Sequence, residues 1–316
     1  MNLTRMTDEL PGGVRFIERD WLSANMVQSF DGNALTVIDT GYASHAPLTE
    51  SLVQHALQTK GRDAYLARVL NTHLHSDHCG GNAVLQQRHA PEIHVPAASL
   101  AAVQAWDERA LTYTGTAQYC PRFRATHALN PGDRFIAGGL DWVVHAAPGH
   151  DPHSLVFFAP QPRLLISADA LWRRGFGIIF PELVDASGFA EQAAVLELIE
   201  SLQPRLVIPG HGPIFTDVAD ALANARDRLA ALRADPARNS RGALRGLLMF
   251  RLLDLRTVDL DELIDGLQSA SILQAAAAQL GQTLEAAIRA AVDDLVGQGQ
   301  IRRIGKIVSL EHGQTH

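Results

Sequence analysis

The sequence contains few cysteines and has no excess of basic charge. Cys79 and Cys120 are the only two cysteines in 316 residues, which is too few for a disulfide framework and predicts a reducing, cytoplasmic location. Lys and Arg number 27 against 34 Asp and Glu, which gives a net charge of −7. This acidic balance argues against broad nucleic-acid binding, because that function requires a basic surface.

Long hydrophobic runs are missing as well. No stretch of about 18 apolar residues occurs, so the sequence predicts no membrane-spanning helix. The first residues, MNLTRMTDELPGG, lack the basic flank and apolar core of a secretory signal. Hydrophobic residues make up 47% of the chain and charged residues 19%, a composition typical of a globular enzyme. The length predicts one large domain and one smaller domain.

The first two-thirds of the chain alternates extended and helical patterns. Residues 47–61 open with Pro47 and stop at Gly61, which predicts a helix. Helices are also predicted at 80–89 and 188–202. Strands are predicted at 14–17, 26–30, 34–39, 67–72, 140–147, 154–159, 163–169 and 205–210, with Asp31-Gly32-Asn33 as a hairpin turn. This order favours sheets with helices packed outside and a functional site at the strand ends, covered by segments 97–127 and 171–187.

A second, smaller unit is predicted at the C-terminus. Residues 235–242, DPARNSRG, mix Pro, Gly and polar residues and predict a linker. We therefore divide the chain into a catalytic domain, residues 1–235, and a C-terminal domain, residues 236–316. The second domain contains three helix-like segments and a final hairpin around Gly305-Lys306, which is the outline of a winged-helix module.

Residues 71–81, NTHLHSDHCGG, concentrate imidazole and carboxylate side chains in one short stretch. A solvated polar loop more often uses Ser, Asn, Lys or Glu, whereas imidazole and carboxylate are common ligands of divalent metals. His73 and His75 are two residues apart on an extended segment, so both can bind one ion. Asp77 and His78 follow where the chain turns, so they can reach a second ion nearby.

Three later residues extend this pattern. His150 in APGHDPHS, Asp169 in ISADALW and His211 in IPGHGP each follow an apolar strand. The prediction assigns His73, His75 and His150 to one metal and Asp77, His78 and His211 to the other, and leaves Asp169 to bridge them. Seven nitrogen and oxygen ligands around two ions leave positions open for water, which is typical of a hydrolytic site and not of a closed structural one.

The string THLHSDHCGG, followed in order by PGH, AD and PGHG, resembles the metallo-β-lactamase superfamily. Asp39 in VIDTG matches the buried aspartate that this family has near its metal loop. The resemblance implies an α/β fold, the αββα sandwich, with the metals at one edge between two sheets. We expect a small winged-helix-like domain to follow it.

The resemblance also narrows the branch of the family. Asp169 at the bridging position resembles the glyoxalase II, lactonase and nuclease-like branches, whereas antibiotic-hydrolysing members lack a bridging aspartate. The segment after Asp169, ALWRRGFGIIFPELV, does not match glyoxalase II cleanly. The C-terminal region instead resembles the winged-helix domain of lactamase-beta-2-like hydrolases.

The predicted function is hydrolysis of an ester, thioester or lactone of a small molecule by a hydroxide that bridges two divalent metal ions. Zinc is the first expectation, and iron or manganese also suits these ligands. Asp77 is the predicted catalytic residue, because it can orient the nucleophile or carry a proton as well as bind metal. Trp172, Arg173 and Phe176 follow the bridging aspartate and are predicted to contact substrate, with Arg173 holding an anionic group.

Two alternatives remain. One is a metal-dependent endoribonuclease, which the lactamase-beta-2-like resemblance implies, and the other is a nucleic-acid-binding regulator that acts through the C-terminal domain. Arg302, Arg303 and Lys306 lie on the predicted hairpin, yet residues 240–316 hold eight Lys and Arg against nine Asp and Glu. This balance favours a packing role or a homodimer contact for the domain over DNA binding.

Overall fold

The computed structural model describes residues 5–7 and 10–310. The strands are β1 Arg5–Thr7, β2 Arg15–Glu18, β3 Met26–Asp31, β4 Ala34–Ile38, β5 Tyr65–Leu70, β6 Glu92–Pro96, β7 His127–Leu129, β8 Arg134–Ala137, β9 Leu140–Ala146, β10 Leu155–Ala159, β11 Leu164–Ala168, β12 Leu206–Pro209, β13 Thr257–Asp259, β14 Ile301–Ile304 and β15 Ile307–Leu310. The α-helices are α1 Ala46–Lys60, α2 Ser76–Cys79, α3 Asn82–His89, α4 Leu100–Ala105, α5 Phe189–Leu202, α6 Val218–Ala234, α7 Ala237–Leu255, α8 Leu260–Gly266, α9 Ser271–Gln279 and α10 Leu284–Gly297. Short 3₁₀ helices lie at Pro11–Gly13, Ala43–His45, Ala97–Ser99 and Pro181–Val184.

Two large sheets form the centre of the molecule. The first has the order β1-β2-β3-β4-β5-β6-β7 and the second the order β12-β11-β10-β9-β8. In the first sheet β1 to β4 pair antiparallel and β4 to β7 pair parallel, while in the second only β11 and β12 pair parallel. The parallel pairs place the ends of β4, β5, β11 and β12 where polar side chains can converge.

The layers of the fold follow from three hydrophobic clusters. Between the sheets, Phe16 and Val27 of the first pack in one cluster with Trp142 and Phe157 of the second. Helices α1 and α3 cover the outer face of the first sheet, and α5 and α6 cover that of the second. The predicted α/β fold with an αββα sandwich is therefore confirmed. The predicted strands all occur, with bounds shifted by at most two residues.

Two glycines bring the metal-binding segment close to the chain that follows β4. A Cβ on Gly81 would lie 2.5 Å from the carbonyl oxygen of Thr40, and one on Gly80 would collide with the backbone at Ala43. Only glycine allows this approach. The α3 helix consequently begins at Asn82 and not at residue 80 as predicted.

The predicted linker at residues 235–242 is wrong, because most of it is helical. Only Asp235 and Pro236 separate α6 from α7. Two of the polar side chains that suggested a loop, Asn239 and Ser240, are buried and make long-range hydrogen bonds. Asn239 donates to the carbonyl oxygen of Ile179 at 2.8 Å, and Ser240 donates to Gln279 Oε1 at 2.6 Å.

The C-terminal region contains the three predicted helices and the hairpin β14–β15, together with two elements that the pattern did not indicate. These are α9, which contains the alanine run at 275–278, and β13, which pairs with β15 in a sheet of order β13-β15-β14. The region has its own apolar core, which also takes in Phe180 and Leu183 from the preceding part of the chain. None of the described helices is long and apolar enough to cross a membrane.

Candidate metal centre

All seven predicted ligands lie together at the ends of strands from both large sheets. The strand β5 leads into the segment with His73 and His75, and α2 carries Asp77 and His78. The other three ligands come from the second sheet: His150 before β10, Asp169 directly after β11 and His211 shortly after β12. Six of the seven are more than nine-tenths buried, and Asp77 is half-buried.

Three imidazoles form the first group. His73 Nε2 lies 3.0 Å from His75 Nδ1, and His150 Nε2 lies 2.8 Å from the same atom. Three neutral ring nitrogens that face one point can hold a divalent cation.

A second group lies beside the first. Asp77 Oδ2 is 3.1 Å from His211 Nε2 and 3.8 Å from His78 Nε2. The Asp169 carboxylate lies between the groups, with Oδ1 3.5 Å from His78 Nε2 and Oδ2 3.4 Å from His150 Nε2. It therefore reaches both groups with its two oxygens.

Outer hydrogen bonds select which ring nitrogen points inwards. His150 Nδ1 donates to the carbonyl oxygen of Ile178 at 2.6 Å, which leaves Nε2 free. His78 Nδ1 lies 2.8 Å from Asp39 Oδ2, and Thr72 Oγ1 donates to the same oxygen at 2.8 Å. Such partners fix the tautomer and orientation of a metal-binding imidazole. The buried Asp39 thus positions His78.

Burial opposes protonation of the first group. Burial, followed by neighbouring imidazoles, lowers the pKa of His73 well below its usual value. Burial likewise lowers the pKa of His75 and of His150 to about 4. These rings are neutral at pH 7, and a neutral imidazole is the form that binds metal.

At His78 and Asp169, by contrast, nearby charges outweigh burial and stabilise the charged form. Burial alone would lower the pKa of His78, but the carboxylates of Asp39, Asp77 and Asp169 outweigh it and raise the pKa well above its usual value. Burial would raise the pKa of Asp169, but His211 and His78 hold it well below its usual range. The carboxylate is therefore ionised at neutral pH.

The donor set and its surroundings fit the binding of divalent metal. His78 Nε2 is buried without a hydrogen-bond partner and faces the Asp77 and Asp169 carboxylates. A Cβ on Gly210 would collide with Asp169 Oδ1, and one on Gly177 would collide with His150 Nδ1. The absence of a side chain at Gly177 and Gly210 thus leaves room for His150 and Asp169.

A cavity of about 870 Å³ opens above this cluster. Five of the predicted ligands line it: His75, Asp77, His150, Asp169 and His211. Trp172 and Phe176 also line it, as the sequence predicts, and Trp172 Nε1 donates to Asp169 Oδ1 at 3.2 Å. The cluster is therefore open to this cavity.

Arg173 does not line the cavity, which corrects its predicted position. Its guanidinium is exposed and pairs with Asp217 at 3.0 Å. The cavity has two other arginines, Arg228 and Arg256. Arg228 donates to the carbonyl oxygen of Phe176 at 2.7 Å and supports that loop, whereas Arg256 is exposed.

Sequence patterns did not predict several aromatic residues that line the cavity. Trp21 precedes β3, and its ring stacks on His211 with centroids 5.3 Å apart and on edge against Trp172 at 5.5 Å. Phe180 lies 4.9 Å from the His75 ring. No signal in the sequence separates these aromatic residues from ordinary core residues, because they reach the site only through folding.

The segment 97–127, which the sequence predicts to cover the site, lines the cavity through Thr116 and Gln118. Tyr113 is buried and lies 3.2 Å from Cys79 Sγ, and Tyr119 is exposed. Cys79 is a buried packing residue, as its small apolar character indicates.

Comparison with known proteins agrees with this geometry. The family profile described as the metallo-beta-lactamase superfamily matches residues 22–211. This match extends over more than half of the chain and ends at the last ligand. The chain belongs to the metallo-beta-lactamase superfamily, and membership together with the clusters implies binding of divalent metal.

Individual relatives share parts of the chain. A hydroxyacylglutathione hydrolase from Chromohalobacter salexigens is 30% identical over 207 residues, which cover 65% of each chain. One from Pseudomonas syringae is 32% identical over 158 residues, 49% of each chain. The chain thus spans about half to two-thirds of the length of these curated relatives. A beta-lactamase domain protein from Burkholderia ambifaria aligns over 97% of this chain and 94% of that one, with 21% identity and a TM-score of 0.57, and shares the fold.

Proposed function

We propose that this protein is a binuclear metal-dependent hydrolase that cleaves an ester, thioester or lactone of a small molecule. The observation that carries the proposal is the Asp169 carboxylate, which reaches His78 with one oxygen and His150 with the other. A carboxylate between two cation sites stabilises a closely spaced pair of divalent ions. We propose His73, His75 and His150 for one ion, Asp77, His78 and His211 for the other, and zinc as the first candidate.

The cations would supply an ionised water at neutral pH and would polarise the carbonyl group of the substrate. The chain's own residues place the reacting groups. Asp77 lines the cavity with its carboxylate 3.1 Å from His211 Nε2. It can therefore orient a nucleophilic water or carry a proton to the leaving group, which makes it the proposed catalytic residue. Trp172 holds Asp169 in place through its indole N–H.

The thioester class has the strongest support among the three. The curated relatives are named hydroxyacylglutathione hydrolases, and the substrate in that name is a thioester. A small-molecule substrate in the cytoplasm also agrees with the acidic composition. Trp172 and Phe176 are proposed substrate contacts because both line the cavity.

The hairpin is poorly suited to bind phosphate groups, which weakens the nuclease and regulator alternatives. Arg303 pairs with Asp293 at 3.1 Å, and Lys306 pairs with Asp261 at 2.6 Å. Carboxylates next to these cations reduce the positive potential that a phosphate backbone would need. Within residues 5–7 and 10–310, no specific contact favours either alternative.

The test combines metal analysis with a substrate panel. Purified protein is expected to hold about two transition-metal ions per chain and to hydrolyse at least one acyl-glutathione, acyl-CoA or lactone substrate, with activity lost on chelation and regained on reconstitution. Single-stranded RNA is included at physiological salt. Chelator-resistant activity would refute the metal mechanism, and metal-dependent cleavage of RNA alone would favour the ribonuclease.

A further inference from the structure

The cavity above the metal ligands has an apolar wall that the proposed chemistry does not use. Six residues of α7 form this α7 wall: Gly242, Gly246, Leu247, Met249, Phe250 and Leu253. Most are spaced by three or four residues, which places them on one side of the helix. None is charged, although the ligands at the other end of the cavity are all imidazoles and carboxylates.

Two glycines lie in this wall, although glycine in a helix interior is less favourable than alanine by about 1 kcal/mol. Packing accounts for Gly246, because a Cβ there would lie 2.9 Å from Ile178 Cδ1. Packing does not account for Gly242, because a Cβ there would have no atom within 4 Å. Since Gly242 lines the cavity, a side chain at this position would take up cavity space. The glycine keeps that space open.

The segment after Asp169 connects the α7 wall to the metal ligands. The Ile178 carbonyl oxygen accepts the hydrogen bond from His150, while its side chain lies next to Gly246. The Phe180 ring lies 4.9 Å from His75 and 5.4 Å from His150. A substrate that reacts at the ligands therefore meets Phe180 and then α7 as it extends into the cavity.

We propose that the α7 wall binds a hydrocarbon acyl group of the substrate. The inference rests on the proposed hydrolysis and narrows it to esters or thioesters of apolar acids. A cavity of about 870 Å³ lies within the usual range for ligand sites of about 300–1,000 Å³. A hydroxyl or charged group against this wall would lose its hydrogen bonds to water without replacement. Contact with the wall therefore contributes no favourable binding free energy for small polar acyl groups.

The first measurement is the dependence of hydrolysis on acyl length. Thioesters of N-acetylcysteamine, from acetyl to decanoyl, keep the leaving group constant. We expect kcat/KM to rise with each added methylene by up to about fourfold, the factor that burial of one methylene supplies, until the cavity is full. A value of kcat/KM that does not change from acetyl to decanoyl would overturn the inference.

Two variants test the wall itself. Gly242→Leu places a side chain in the open space and is expected to lower kcat/KM for the decanoyl thioester at least tenfold while changing the acetyl value less than twofold. Met249→Gln keeps the side-chain length but adds polarity, and it is expected to reduce the gain per methylene. The control is Gly297→Leu, at a helical glycine that also has open space around it but does not line the cavity. If Gly242→Leu and Met249→Gln each lowered kcat/KM equally for the acetyl and the decanoyl thioester, the inference would be contradicted.

A binding measurement separates this inference from the proposed function. Calorimetry with the non-hydrolysable decyl thioether of N-acetylcysteamine reports occupancy without turnover. Gly242→Leu is expected to raise its Kd at least tenfold, and Gly297→Leu to leave it unchanged. Binding with this dependence but without hydrolysis of any ester, thioester or lactone would refute the proposed function and support the α7 wall. If the protein hydrolyses thioesters but Gly242→Leu does not change the Kd of the decyl thioether, the proposed function is supported and acyl binding at the α7 wall is refuted.

Discussion

At the scale of single residues, the site depends on carboxylates and imidazoles whose protonation and orientation are set by contacts within the cluster. Asp39 and the Ile178 carbonyl oxygen hold the outer nitrogens of His78 and His150. The inner nitrogens then face Asp169. A change at Asp169 should therefore affect both ions, whereas a change on the surface should affect neither.

Asp169→Ala is expected to lose or loosen one metal ion and to lower kcat by at least about a hundredfold, since substitutions even in the outer shell of metal sites cost about 10- to 100-fold. Metal content after dialysis and turnover of the best substrate measure the effect. The control is Asp217→Ala, at a half-buried aspartate that pairs with Arg173 outside the cavity. Two tightly bound metals with near-normal turnover in Asp169→Ala would show that this carboxylate does not bridge.

Arg256 and Arg173 should differ in their effect on the binding of anionic substrates. Arg256→Ala is expected to raise KM severalfold for an acyl-CoA with little change in kcat, because it removes a cation that lines the cavity. Arg173→Ala should leave KM unchanged, because this guanidinium pairs with Asp217 outside the cavity. If Arg173→Ala raised KM and Arg256→Ala did not, Arg173 would be the anion-binding residue.

At the scale of elements, α7 joins the C-terminal region to the metal-binding part. Its first turns carry Asn239, which bonds to both the N–H and the carbonyl oxygen of Ile179. Further along, the same helix supplies the α7 wall. The orientation of this helix therefore determines both the shape of the cavity and the position of the segment that holds His150.

Asn239→Ala should lower the free energy of unfolding by about 1–3 kcal/mol, because it leaves the buried Ile179 groups without partners. Urea denaturation of the metal-free protein measures this. Arg238→Ala is the neighbouring control, since Arg238 is exposed and makes only a surface ion pair with Asp235 at 3.7 Å, which contributes little. Equal stability of Asn239→Ala and the wild type would mean that solvent replaces both hydrogen bonds.

At the scale of the whole molecule, the cluster of buried neutral imidazoles makes folding sensitive to acid. The pKa of His75 and of His150 falls from 6.5 to about 4 on folding because of burial. Between these values the unfolded chain binds protons that the folded chain does not. Acid therefore favours the unfolded state in this window.

We expect the free energy of unfolding of the chelated protein to fall as the pH decreases from 6.5 to about 4. Chemical denaturation at a series of pH values measures this slope. His150→Asn removes one of the two groups and should make the slope shallower, whereas His55→Asn, at an exposed position, should not. A stability that stays constant across this window would mean that the two rings are already protonated in the folded chain.

The sequence by itself predicted the αββα sandwich and the seven residues that lie together in the cluster. His73, Asp169 and His211 could be found because each follows an apolar strand, and the strand ends of the two packed sheets meet at one edge of the sandwich. The direction of Arg173 could not be found in this way, since it depends on Asp217, which lies 44 residues away along the chain.

Only the tertiary structure decided what surrounds the ligands. Trp21 and Gly242 lie far apart in the sequence and reach one cavity through packing of the C-terminal region. Residues 237–242 have a polar composition typical of a linker, but the partners that make them helical are distant groups such as the backbone of Ile179. Local patterns record which side chains a segment carries. They do not record which distant groups satisfy those side chains, because that depends on the packing of the whole chain.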